Sequence, residues 1–204
     1  MTYRSPHREI DLLVAELKSI LIELTSGDDE RAEAVVPQVA SLGETAIDSL
    51  LALLESPSSD HRWWATRALA VVDHSKAQDG LQRALGDDDP DVRQCAALGL
   101  RLHPSPSVIP ALVNAIHDTD RLVARLAADA LVAIGPTAIQ ALSITIESPD
   151  PAVRMEAVRA LAAIEDPQAL HALFAALDDP SPLVGYWAEQ GLERLGVGTV
   201  FFEP

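Results

Sequence analysis

A period of about 31 residues runs through nearly all of the 204-residue chain, and it constrains the fold more than any local motif. The stretch Leu42-Gly43-Glu44-Thr45-Ala46-Ile47 returns as Ile134-Gly135-Pro136-Thr137-Ala138-Ile139, and aligning outward from that pair brings the remaining segments into register. A small or β-branched residue recurs at Val35, Ala65, Ala96, Ala127, Ala157 and Ala188, with spacings of 30, 31, 31, 30 and 31. Four residues on, Val39, Leu69, Leu100, Leu131, Leu161 and Leu192 keep the same spacings. The i, i+4 offset puts both rows on one face of a helix. A second helix in each period carries Leu50, Leu81, Leu112, Leu142 and Leu173, followed by Leu54, Leu85, Ile116, Ile146 and Leu177. Each period is therefore a helical hairpin, and a hairpin with an apolar face must stack on its neighbours to bury it.

Helix starts are marked as regularly as the core. Asp28, Ser58, Asp89, Asp120, Asp150 and Ser181 stand at equivalent places, and all are residue types that accept from the unpaired amides of a first helical turn. Pro90, Pro151 and Pro182 follow three of them, where a fixed φ suits the first helical position and a missing N–H costs nothing.

The segments Asp89-Pro90-Asp91-Val92-Arg93, Asp150-Pro151-Ala152-Val153-Arg154 and the less complete Asp60-His61-Arg62 resemble the HEAT-like repeat. The resemblance extends over roughly residues 10 to 195. It implies an all-α fold, a right-handed α-solenoid of stacked antiparallel helical hairpins. It also implies that Arg62, Arg93 and Arg154 are structural, tying a repeat to a neighbour's acidic turn, with interruptions at Ala124 and Gly185. The expected organisation is a half-repeat at 8–25, hairpins at 28–55, 58–86, 89–117, 120–147 and 150–178, a terminal half-repeat at 181–196 and a tail at 197–204. That tail, with Phe201 and Phe202, is expected either to cover the last helix or to associate with a second subunit, as in a homodimer.

Composition narrows the function. With 31 Asp and Glu against 15 Lys and Arg the chain carries a formal charge of −16, which argues against binding nucleic acid or an anionic membrane surface. Charged residues interrupt the first apolar stretch, and no run of about 20 apolar residues is evident, so a soluble cytoplasmic protein is expected. Cys95 is the single cysteine, and no two of the six histidines lie at helical i, i+4 spacing, so no metal or other cofactor is expected. The HEAT-repeat hydroxylase fold is similar but is built on His-Glu iron ligands, which are missing here. No catalytic residue stands out, and Cys95 falls on the flank of a first helix as a packing residue.

What remains are surfaces. Second helices line the concave face of a HEAT-like stack, and the register from their leucines assigns Asp48, Asp79, Arg83, Asn114, Gln140 and His171 to that face as partner-binding candidates. Trp63-Trp64 and Tyr186-Trp187 occupy equivalent places in first helices. Trp64 and Trp187 lie on the flank of the buried stripe, whereas Trp63 and Tyr186 fall a step further round and are candidate aromatic anchors. Acidic inter-repeat turns such as Asp87-Asp88-Asp89 cap helices and suit a basic partner. The leading expectation is a non-catalytic protein-interaction scaffold binding a protein or basic peptide on the concave face. The alternative, from the enzyme class, is a subunit resembling the phycobilin lyases, whose repeats are similar and which handle a tetrapyrrole.

Overall fold

The computed structural model describes residues 6–197, with side chains from residue 11 onward, and among them every regular element is helical. Phe201 and Phe202 lie outside the described residues. The chain divides into two compact units, Met1–Leu102 and His103–Pro204, so the boundary falls inside the 89–117 segment.

Unit 1 contains α1 (Pro6–Leu24), α2 (Asp29–Leu42), α3 (Glu44–Leu53), α4 (Ser59–Leu69), α5 (Ser75–Ala84) and α6 (Pro90–Leu102). Helices α2, α4 and α6 form one layer and α1, α3 and α5 the other, with α1 on α2, α3 on α4 and α5 on α6. Unit 2 contains α7 (Ile109–Ala115), α8 (Arg121–Ile134), α9 (Ile139–Thr145), α10 (Pro151–Ile164), α11 (Leu170–Ala176) and α12 (Pro182–Arg194). Here α8, α10 and α12 form the first-helix layer, and short 3-10 turns lead into α7, α9 and α11. The all-α architecture of stacked hairpins thus holds within each unit.

The core follows the repeat. Leu50, Leu81, Leu112, Leu142 and Leu173 are fully buried, as are Leu69, Leu100, Leu131 and Leu161 in the first helices. Four positions depart from it, Leu54 and Ile146 among them, which are only half-buried. Leu177 is partly exposed, and in α2 the buried residue is Val36 rather than Val35. Helix α2 is also the one with an interior proline, Pro37, which removes an amide from the helical ladder and crowds the preceding turn.

Caps account for most first-helix starts. The Asp120 carboxylate accepts from the amides of Leu122 and Val123, Asp150 from Ala152, Asp89 from Asp91, Asp28 from Arg31 and Ser58 from His61. Ser181 departs from the expectation: its backbone is extended as a cap requires, but its hydroxyl makes no capping bond. Its carbonyl instead accepts from Val184 and Gly185, and Pro182 already supplies a residue without an amide in that turn.

The motif that revealed the period has a backbone reason. Gly43 (φ 53°, ψ −128°) and Gly135 (φ 81°, ψ −146°) each end a first helix in a region that a Cβ excludes. Gly135 also interrupts the 121–145 stretch. By length and composition alone that stretch is apolar enough to cross a membrane, contrary to the expectation above. It forms instead the two helices α8 and α9, with Val123, Ala127, Leu131 and Leu142 buried in the core of unit 2.

Both units contain the same arginine clamp. Arg62 donates from Nε and Nη2 to the Asp87 carboxylate at 2.7 and 2.8 Å, and from Nη1 to the carbonyls of Ser56 and Pro57. Arg154 repeats this with Asp179 at 2.7 and 3.0 Å and the carbonyls of Ser148 and Pro149. Burial opposes ionisation of Asp87, but the Arg62 hydrogen bonds and the Asp89 amide outweigh it and hold the carboxyl below its usual range. Hydrogen bonds from Arg154 do the same for Asp179. Arg93 donates to the carbonyls of Asp87 and Asp88, the equivalent local contact.

Candidate functional site

A hollow of about 1210 Å³ lies on the first-helix layer of unit 1, between α4 and α6 with α2 at one side. Its floor follows from the helical register. In α4 the stripe Trp64, Ala65, Ala68 and Leu69 is buried, and Trp63, one residue round, is left half-buried at the groove wall. The two indoles meet edge to face, centroids 4.7 Å apart at 87°, so Trp64 fixes the orientation of Trp63. One turn later Arg67 reaches Glu33 on α2 at 2.6 Å, half exposed to solvent.

Helix α6 supplies the opposite wall. Val92, Cys95 and Gly99 are buried against the layer below, while Leu98 and Leu102 are 45% and 61% exposed. Gly99 allows this close approach: a Cβ there would lie 2.8 Å from the Ala70 Cβ and 3.1 Å from Leu81. That contact also brings the C-terminal ends of α4 and α6 side by side. The groove consequently has polarity along its length. At one end the N-terminal turns present Asp29, Asp60, Asp89 and Asp91, and at the other Arg67 and Arg101 stand among Leu98, Leu102 and Ala70. Arg101 is exposed and makes no ion pair among the described residues, in a chain where acids outnumber bases two to one.

Cys95 lies in the groove wall but is 7% exposed, and burial pushes its thiol up to about 12. A thiol this protonated at neutral pH is a packing group and a poor nucleophile. Among the described residues no cluster of three or more His, Cys, Asp or Glu is arranged to hold a metal.

The other candidates are dispersed. Asp48 and Asp79 are exposed on α3 and α5, and Asp48 faces Lys76 at 3.8 Å. Arg83 is exposed and borders a smaller polar hollow of about 460 Å³ with Arg62, Asp87 and Asp88. Asn114, Gln140 and His171 are exposed on α7, α9 and α11 of unit 2. Tyr186 is half exposed on α12, packed edge to face on Trp187 at 5.4 Å. Among the described candidates only Trp63 belongs to the large groove. Arg67, Leu98 and Arg101 were missed, although Arg67 lies one turn from Trp63 and Leu98 one period from Arg67, a register legible in the sequence.

Comparison with known proteins bears on function. The chain is 34% identical over 113 residues to the bilin biosynthesis protein RpcF of Synechococcus sp. strain WH8020, covering 54% of this chain and 49% of that protein. It is 34% identical over 109 residues to the phycocyanobilin lyase subunit beta of Nostoc sp. strain PCC 7120, covering 53% and 54%. The chain thus spans about half the length of the curated relatives it matches. A solved complex of CpcE and CpcF of the phycocyanin lyase from Nostoc sp. PCC7120 superposes with a TM-score of 0.59 at 21% identity, over 72% of this chain and 98% of that one, a likeness of fold. These relatives correct the expectation of a non-catalytic interaction scaffold, because both curated names belong to bilin chemistry and one is a lyase subunit. Surface register by itself misled here, since a solenoid surface hosts catalytic and non-catalytic roles on the same core. The model of HEAT repeats matches residues 17–100, 47–132, 82–145 and 109–193, and with nearly the whole described length covered the chain belongs to the HEAT-repeat family.

Proposed function

We propose that the chain is a bilin-lyase-like subunit that handles an open-chain tetrapyrrole together with a protein partner. The observation carrying this reading is the 34% identity, over about half the chain, to two proteins named for bilin biosynthesis and phycocyanobilin ligation. The geometry is compatible with it. A bilin is a long, flat, apolar molecule bearing two propionates, and unit 1 holds a groove of fitting scale with an indole, two exposed leucines and two arginines.

The role of this chain in such a reaction is holding and orienting the pigment. Its one cysteine is buried and protonated, so it does not itself carry the pigment as a thioether. A protein partner belongs to the reading because one relative is named as a lyase subunit and CpcE and CpcF of the phycocyanin lyase form a complex.

The test is native mass spectrometry of the chain mixed with phycocyanobilin, alone and with a phycobiliprotein apo-subunit. A pigment-bound species, unchanged in Cys95→Ser, is the expected result. Failure to retain the pigment in either mixture overturns the reading, and the same spectra distinguish a heterocomplex from a homodimer.

A further inference from the structure

We infer that the pigment site is the first-helix groove of unit 1, with Trp63 as the stacking surface and Arg101 and Arg67 as the propionate ligands. The inference rests on the bilin reading above and adds where on the molecule the pigment sits, on the layer opposite to Asp48 and Asp79.

Three observations converge on an occupant that is flat, apolar and dianionic. Trp63 is held edge-on by Trp64, so its exposed face is preorganised for stacking on a conjugated system. Leu98 and Leu102 extend this apolar surface along α6 and are left open to solvent. Cations collect at one end only. Arg101 has no counter-ion among the described residues, and Arg67 is held by the half-exposed Glu33, a contact that a carboxylate ligand can exchange for its own. Two guanidiniums matched to two propionates give charge-assisted, bidentate recognition. At the other end, the carboxylates of Asp60, Asp89 and Asp91 are acceptors suited to pyrrole N–H donors and repel the propionates, which sets the pigment's direction in the groove. A nucleic acid, with charge along its whole length, fits this polarity poorly, since the cations stand at one end and Asp29, Asp60, Asp89 and Asp91 at the other.

The site is tested by titrating the full chain with phycocyanobilin and following tryptophan quenching and the induced circular dichroism of the pigment. Trp63→Ala and Arg101→Glu are each expected to weaken binding about tenfold. Arg101 is exposed, so its variant keeps the fold, and the far-ultraviolet spectrum checks this for Trp63→Ala. The dimethyl ester of the pigment, lacking both propionate charges, is expected to bind the native chain about tenfold more weakly and to lose sensitivity to Arg101→Glu. Asp48→Lys with Asp79→Lys, on the other layer, leaves affinity unchanged. Wild-type binding that is insensitive to Trp63 and Arg101, or lost in the Asp48 and Asp79 variant, overturns the site while the bilin reading stands. No binding by the native chain overturns both.

Discussion

The first-helix layers of the two units carry the same scaffold but use equivalent positions in opposite ways. Three periods after Trp63-Trp64 and Arg67 in α4 stand Met155-Glu156 and Arg159 in α10. In unit 1 the arginine is partly exposed, with its guanidinium on Glu33, beside a groove lined by indoles. In unit 2 the arginine is 7% exposed, bonded to Glu156 at 2.7 Å and to Asp129 at 2.8 Å, and reaches the Arg125 carbonyl. Asp129 is the counterpart of Pro37, which offers no charge to Arg67. One layer is cross-braced by ions and the other is left with an open aromatic surface, so the repeat that builds the fold does not dictate where a site forms.

The sharpest way to break the comparison is to remove the two arginines separately. Arg159→Ala strands Glu156 and Asp129 without their buried cation and is expected to cost about 3–5 kcal/mol of unfolding free energy. Arg67→Ala, by contrast, breaks a half-exposed pair and is expected to cost less than about 1 kcal/mol. Urea denaturation followed by circular dichroism checks both, and equal costs would mean that the two layers are braced alike.

Gly99→Ala and Gly191→Ala probe what the units share. A Cβ at Gly191 would lie 2.8 Å from the Ala162 Cβ and 2.9 Å from Leu173, matching the crowding of Gly99 against Ala70 and Leu81. Each substitution is expected to destabilise by about 1–3 kcal/mol through overpacking, measured as a fall in urea midpoint. In Gly99→Ala the groove wall also moves.

The arginine clamps predict a pH dependence. Asp87 has a folded pKa below its unfolded value of about 3.9, so its contribution is present above that value and is lost as pH falls through the folded pKa. Asp87→Asn is expected to cost about 1.5 kcal/mol at pH 7, and its deficit relative to the native chain should vanish at more acidic pH, below the folded pKa. Asp179→Asn follows the same direction, because its carboxyl is held low by Arg154. A deficit that persisted in acid would assign the cost to packing instead of charge.

The smallest expected effect separates two caps. Asp120→Ala removes two amide contacts and should cost about 1 kcal/mol, whereas Ser181→Ala removes none and should stay within a few tenths. Thermal unfolding of the two variants side by side measures the difference.

Much of this molecule was legible in the residues. Local constraints repeat with the period: leucines four apart and capping residues before first turns. Each acts within one or two turns of helix, so a linear pattern records it. The structural role of the arginine in the Asp-Pro-x-Val-Arg segment came from the resemblance to the HEAT-like repeat, and the Arg62–Asp87 and Arg154–Asp179 pairs bear it out. The site was less legible. Trp63 was recognised as a half-exposed aromatic, but the concave-face residues drew attention to the other layer. The groove depends on Gly99 bringing α6 close to the end of α4 and on the absence of a buried ion network like that of Arg159, and neither is a property of any single position.

By itself the sequence determined the element type, the period, the helix starts and the buried rows, because these follow from backbone geometry and from the burial of apolar stripes. It also determined that Cys95 sits beside the core. Only the tertiary structure decided which equivalent positions become a brace and which become an open surface. That outcome depends on whether side chains from successive helices reach one another, and the distances between helices are set by the packing of the whole layer.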